Sequence, residues 1–421
     1  MSKFAVCIFF VLLPIRVFAQ PSAASPAPPT PLAELVASID AANPELSAAR
    51  RELDASIARI RPAGAPPDPT ISTGYMSGFL RPPFFPSSTT PDGLWQVGVT
   101  QEIPYPGKLA AKVALASTFV ERARWNVELR RVELVAALKT AYAELELAER
   151  SLSILDGTRG VLEEAHAHAE TRFRVGRGPQ QDVLRAQLEI SMLIERRTML
   201  LRDRRIAVAS VNAVLGRAPD TELSTMPVTF EPPPPIAELR RLALDRNPRA
   251  RRDDQQIASG QAALALAQKE IRPDFAISVT SQRKVGGMPW MYGVDLMATV
   301  PVFGQRKQRP MVVEATAMLG AARDMREATR VQADADLAIA AADAEAAIEL
   351  MTLYEDSILP QSRLALESAM SSYQTGAVDF LTLLANVTSV LTYDLAAQQQ
   401  HAQHLKALAR IEPLTGLSLI R

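Results

Sequence analysis

Cysteine is almost missing from these 421 residues: Cys7 is the only one. A disulfide scaffold is excluded, and no thiol chemistry remains if the N-terminal segment is removed. Surplus charge is missing too, because 46 basic side chains face 46 acidic ones. Nucleic-acid binding, which needs a basic surplus to displace counterions from phosphates, is not expected. Aromatics are scarce at 5%. Histidines number four, with no paired Ser or Asp motif, and Gly-rich phosphate loops are absent. No catalytic constellation emerges, so an enzyme is the least expected class and neither cofactor nor metal is called for. No run of 18 or more consecutive apolar residues exists. Membrane contact, if any, falls to strands or a surface helix.

What is present is apolar and helix-prone. Hydrophobic residues make up 48% of the chain, which argues against disorder. The abundance of Ala and Leu suits long, close-packed helices. The first nineteen residues read as an export signal: Lys3, the ten-residue apolar run Phe4 to Leu13, and a cleavage site at Val17-Phe18-Ala19 before Gln20. Cys7 lies inside the apolar run and not at the cleavage point, so no lipid anchor is expected.

Proline marks the joints. Five prolines fall in a flexible or polyproline-like lead-in, 20–31, ten between Pro62 and Pro106, and four at Pro232–Pro235. Long proline-free windows lie between them, including 108–178 and 311–359, where long helices can form. The two halves also match. Ala33-Glu34-Leu35 and Asn43-Pro44 recur as Ala237-Glu238-Leu239 and Asn247-Pro248, both at an offset of 204. Pro67-Asp68 recurs as Pro273-Asp274 at 206, Pro104 and Gly107 as Pro301 and Gly304 at 197, and Phe173 and Gly176 pair with Tyr373 and Gly376 at 200. The spacing predicts a tandem duplication: repeat one at 32–219, a proline-rich linker at 220–235 and repeat two at 236–421.

Each unit reads as helix, two strands, long helix, turn, helix. Strands are expected near 70–79, 94–103, 274–282 and 291–300, and helices near 108–175, 180–216, 305–375 and 379–412. In the second strand Trp95, Val97, Val99 and Ile103 alternate with Gln96, Gly98, Thr100 and Glu102. About ten residues with one apolar and one small or polar face fit a transmembrane β-strand. A soluble half-buried hairpin has the same period, so both readings stand. Stepping by four and three from Leu109 to Ala148 meets an apolar residue at ten of twelve positions, a coiled-coil seam. A 71-residue stretch at 108–178 would reach roughly 105 Å as one helix, and two shorter helices, 180–216 and 236–271, match it end to end. Asp156 to Gly160 is read as a kink and Gly176-Arg177-Gly178-Pro179 as the hairpin turn. Four strands cannot close a barrel, so transmembrane strands would require several chains to share one: a dimer with eight strands or a trimer with twelve.

These features resemble a known family. Arg172-Phe173-Arg174-Val175-Gly176 with Asp182-Val183-Leu184-Arg185-Ala186-Gln187, and Ser372-Tyr373-Gln374-Thr375-Gly376 with Phe380-Leu381-Thr382-Leu383-Leu384, look like the TolC-type outer membrane factors. Gln101-Glu102-Ile103-Pro104-Tyr105-Pro106-Gly107-Lys108 resembles their CzcC/CusC-like heavy-metal branch. The resemblance implies a mixed, mostly α fold: a long α-helical coiled-coil barrel plus a transmembrane β-barrel shared between protomers of a homotrimer. It implies a passive exit duct in outer-membrane lipid, docked to a periplasmic adaptor (membrane fusion) protein and an inner-membrane pump of the RND type. Val175, Gly176, Arg177, Thr375, Gly376 and Ala377 would form the adaptor-docking tip, and Asp182 and Tyr373 the periplasmic gate. The family's gate arginine falls on Val378 and its constricting aspartates on Thr382 and Ala385, so closure must use other contacts.

Other residues carry weaker expectations. Glu102 and Asp295 would be lumen-facing barrel charges. His166 and His168 lie too far around a helix to share a metal. His401 and His404 share a face but are expected to be solvent-facing helix residues and not ligands. The rival reading is a soluble periplasmic coiled-coil scaffold with small hairpins and no channel.

Overall fold

A computed structural model describes residues 29–77, 93–284 and 289–421. The expected leader 1–19, most of the lead-in, the end of the first strand at 78–79 and the loop 80–92 lie outside the described residues. In chain order the elements are β1 (Pro29–Thr30), α1 (Leu32–Ala42), α2 (Pro44–Ala58), α3 (Ile60–Gly64), β2 (Thr70–Ser77), β3 (Gly93–Ile103), α4 (Lys108–Arg174) and α5 (Gln180–Val214). After them come β4 (Ser224–Thr225), α6 (Ile236–Arg246), α7 (Pro248–Lys269), β5 (Asp274–Lys284), β6 (Met291–Thr299), α8 (Gln308–Leu353), a π-helical turn (Tyr354–Ile358), α9 (Leu359–Thr375) and α10 (Phe380–Thr415).

The longest helix, α4, runs 67 residues, about 100 Å at 1.5 Å per residue. Both α5 and α7 pack along it, so two shorter helices cover the one long helix. The hairpin turn does not fall at Asp156–Gly160: α4 stays α-helical through Gly157 and Gly160 and ends at Arg174. Each glycine costs only about 1 kcal/mol in a helix, and the flanking Leu155 and Leu162 are buried against neighbouring helices. The irregularity lies instead in the expected helix 305–375, where Tyr354–Ile358 winds as a π turn. Pro360 supplies no N–H to the carbonyl of Asp356, and a wider turn accommodates the gap.

Two apolar cores hold the bundle. The middle one surrounds Leu138, Tyr142 and Leu145 of α4 with Leu35 and Ile39 of α1, Leu337 of α8 and Leu405, Leu408 and Ile411 of α10. The second gathers Leu155, Leu162, Ala186, Leu193, Tyr373, Phe380, Leu383 and Val387 toward the hairpin turns. Sequence periodicity missed how completely mid-α4 is enclosed. Leu223 and Val228 of the linker and Leu419 and Ile420 of the tail also pack there. The lead-in, expected to be flexible, ends in β1, which pairs in parallel with β4 of the linker. The Tyr142 hydroxyl holds that pair down, accepting from the Met226 amide at 2.7 Å and donating to the Thr30 carbonyl at 3.0 Å.

Beneath these side chains lies a buried ion pair. Lys139 Nζ is 2.6 Å from Glu412 Oε2 and donates to the Ile420 carbonyl at 3.0 Å. Glu412 Oε1 accepts from the amides of Leu419 and Ile420 at 2.7 and 2.9 Å. The C-terminal strap is therefore fastened to α4 and α10 by one satisfied charge pair.

By length and composition α10 is apolar enough to cross a membrane. Its contacts with α4, α8 and α9, together with its buried His404 and Glu412, make it a wall of the bundle.

Candidate functional site

The four longer strands form one antiparallel sheet in the order β2-β3-β5-β6. Its register sorts side chains onto two faces, because successive residues in a strand point to opposite sides. One row aligns Ile71, Val99, Val279 and Val294, and its neighbour aligns Thr73, Val97, Ser281 and Tyr292. This face is bare: Ile71, Val294 and Leu296 are 75% exposed and Tyr292 78%. The opposite face aligns Ser72, Gly98, Thr280 and Gly293, then Thr70, Thr100, Ser278 and Asp295. It is small, polar and more covered, with Thr100 Oγ1 donating to Ser278 Oγ at 3.0 Å and Ser278 and Thr280 buried. Glu102 and Asp295 share this polar face, by the parity of the register. Neither β2 nor β6 has a second partner strand among the described residues, so each presents a row of unpaired backbone groups.

One lysine joins the sheet to the bundle. Lys108, the first residue of α4 and almost fully buried, places Nζ 2.8 Å from Asp274 Oδ2 and 3.2 Å from Glu270 Oε2. Asp274 also accepts from the Tyr105 amide at 2.7 Å. Lys269 donates to the Gly107 carbonyl at 3.0 Å. The β3–α4 and α7–β5 connections are thus cross-tied, a role for Lys108 that no local pattern announced.

At the other end, α4 and α9 finish in the same way. Gly176 and Gly376 take left-handed φ of 69° and 81°. Arg177 N then reaches Arg172 O at 2.8 Å, and Ala377 N reaches Ser372 O at 2.8 Å. These are Schellman closures, in which glycine carries the positive φ without a Cβ penalty. Val175, Gly176, Arg177, Thr375 and Gly376 are exposed and Ala377 is too.

The two turns touch. Arg172 Nη1 donates to the Tyr373 carbonyl at 2.5 Å, and its guanidinium carbon stands 4.7 Å from the Tyr373 ring centroid. Tyr373 is buried edge-on against Phe380 at 5.5 Å. Asp182, in the first turn of α5, interacts with the same group. Burial raises its carboxyl pKa above the usual range, although Arg172 and Arg185 pull it back. The Tyr373 phenol is likewise raised, by burial and then by Asp182. The Tyr373 hydroxyl makes no hydrogen bond of good geometry, so this contact is electrostatic. The structure brings Asp182 and Tyr373 together, and sequence reasoning missed Arg172 between them.

His401 and His404 are not solvent-facing. His404 is buried and His401 half-buried under Phe230 of the linker, at 4.7 and 6.0 Å between ring centroids. His404 Nδ1 bonds the Ala344 carbonyl at 2.9 Å. Burial, then Arg150 and His404, push the His401 pKa down to about 4. Glu146 Oε1 lies 3.9 Å from His401 Nε2 but is engaged by Arg150 at 2.5 Å, and burial raises its own pKa, so it does little to favour an imidazolium. No group of three metal-ligating side chains is found among the described residues. The folded pKa of about 4 lies below the unfolded 6.5, so this stabilisation is full above 6.5 and disappears as pH falls toward 4. The loss amounts to about 3 kcal/mol. Thermal melts across that range should show a falling Tm, with a flatter profile for His401→Gln.

Residues 35–217 match the sequence profile described as outer membrane efflux protein. A search of curated proteins gave no match. Among solved structures, the chain is similar to the outer-membrane channel OprN, at 21% identity over 91% of this chain and 89% of that one, with TM-score 0.78. It is similar to CusC at 15% identity over 92% of both chains, TM-score 0.79. A third similar structure is the outer membrane protein VceC from Vibrio cholerae, at 18% identity over 91% of this chain and 96% of that one, TM-score 0.77.

Proposed function

From a chain that matches the outer membrane efflux proteins over residues 35–217 and shares the fold of their channels over nine-tenths of its length, we propose a passive outer-membrane exit duct with a long periplasmic extension. The observation that carries this reading is the sheet. It has one bare apolar face, one polar face and two unpaired edges, at one end of a helical bundle whose longest helix spans about 100 Å. In lipid an open edge is not tolerated, and four strands are too few to close. Two copies or three would close the sheet, and the family resemblance selects three, a homotrimer with twelve strands. The apolar row of Ile71, Val99, Val279 and Val294 faces lipid, and Glu102 and Asp295 line the lumen. The same order of elements in 32–219 and 236–421 supports an internal duplication.

At the far end the two turns, Val175-Gly176-Arg177 and Thr375-Gly376-Ala377, dock a periplasmic adaptor, which connects to an inner-membrane pump of the RND type. Asp182 and Tyr373 form the gate. The duct does no chemistry of its own, and substrate choice belongs to the pump. The OprN, VceC and CusC structures match this chain within 0.77–0.79 in TM-score, so the fold does not select a cargo, and only the Gln101–Lys108 junction points toward the heavy-metal branch. The soluble-scaffold reading conflicts with three-quarters exposure of Ile71, Val294 and Leu296 on one face. Purified protein in a planar lipid bilayer tests the proposal. Discrete ion-conducting steps are expected, and a protein that neither inserts nor conducts contradicts it.

A further inference from the structure

We propose that Arg172 is a positioning residue that ties the two helical turns together and holds Tyr373 in place. Two contacts and one charge interaction converge on this side chain. Nη1 donates to the Tyr373 carbonyl at 2.5 Å, across 201 residues of sequence. That carbonyl belongs to the last turn of α9, which already closes on Gly376 N at 3.1 Å. A carbonyl oxygen has two lone pairs, and the negative end of a helix dipole favours a cation there. The guanidinium also lies over the Tyr373 ring at 4.7 Å, within cation–π range. Finally, its charge favours the ionised form of Asp182 on α5.

A lysine could keep the charge but not the planar stack together with a directed N–H. Val378 and Ala385 offer no charge at this end, so the tie falls to the first hairpin's own arginine. Arg174, two residues on, is 68% exposed and only loosely paired with Glu170 at 3.7 Å, which makes it a matched control.

The consequence for gating rests on the duct reading, whereas the tie itself does not. Two readouts separate them. Hydrogen exchange of the full-length detergent-extracted protein reports the tie. Arg172→Ala should speed exchange at 373–379 at least several-fold, Arg172→Lys should fall between it and wild type, and Arg174→Ala should match wild type. Native mass and Tm should stay unchanged in all of them. Bilayer conductance reports the gate and should rise in the same order. Unchanged exchange at 373–379 in Arg172→Ala overturns the tie, whatever the conductance. If Arg172→Ala does not fold, Tyr373→Leu, which removes the ring and keeps the carbonyl, must give intermediate exchange; wild-type exchange there overturns the proposal equally. Faster exchange in a protein that never conducts upholds the tie and overturns the duct.

Discussion

Val97→Arg is expected to block assembly in the membrane, leaving no oligomer in the outer-membrane fraction. Val97 lies in the middle of β3, aligned with Thr73 and Ser281, on the bare apolar face. An arginine at the bilayer midplane of a barrel costs roughly 2–4 kcal/mol, and a trimer would carry three of them. Gln96→Arg is the control, because Gln96 sits on the opposite, polar face and its cation would enter the lumen. Gly98 is a poor control, since a Cβ there would come within 3.0 Å of Ser72 Oγ and 3.2 Å of Thr280 Cγ2. Native mass of the extracted protein reads both variants. Normal assembly of Val97→Arg with failure of Gln96→Arg would invert the face assignment.

The second large effect is expected from Lys139→Met. The residue fits the space of the lysine stem but leaves Glu412 as a buried carboxylate without its cation. Breaking a buried pair from one side costs about 3–5 kcal/mol. The side chains involved are 6% and 7% exposed, so water cannot make good the loss. Glu412→Gln breaks the same pair from the other side: its amide oxygen still accepts from the Leu419 and Ile420 amides, but its NH2 group then faces the buried Lys139 ammonium. A substantially lower apparent Tm than wild type is the expected result for both variants. Equal melting of all three proteins would mean that the pair does not fasten the C-terminal strap.

The elements that sequence made legible are those whose pattern is set by neighbours along the chain. Trp95, Val97 and Val99 alternate with Gln96, Gly98 and Thr100 because a sheet with unlike faces imposes a period of two. The extent of α4 follows from a window without proline, and the glycine turns follow from a backbone geometry that few other residues adopt. What stayed hidden depends on contacts between distant segments. Lys108 finds Asp274, Lys139 finds Glu412, and Arg172 finds Tyr373, across 166, 273 and 201 residues. His401 and His404 carry polar side chains on a long helix, which read as surface until the linker places Phe230 over them. Gly157 and Gly160 stay inside α4 because helix packing overrides weak local propensity, and in the second half a π turn precedes Pro360. The closeness of Asp182 to Tyr373 came from family resemblance and not from any spacing rule.

The most direct test of the account is the detergent-corrected native mass of the protein extracted from the outer-membrane fraction. A mass of three chains is predicted, because the family resemblance implies twelve strands from three sheets, and a detergent-extracted dimer would contradict that count. A monomer or dimer that stays soluble without detergent would contradict it, because the bare face of the sheet would then never meet lipid.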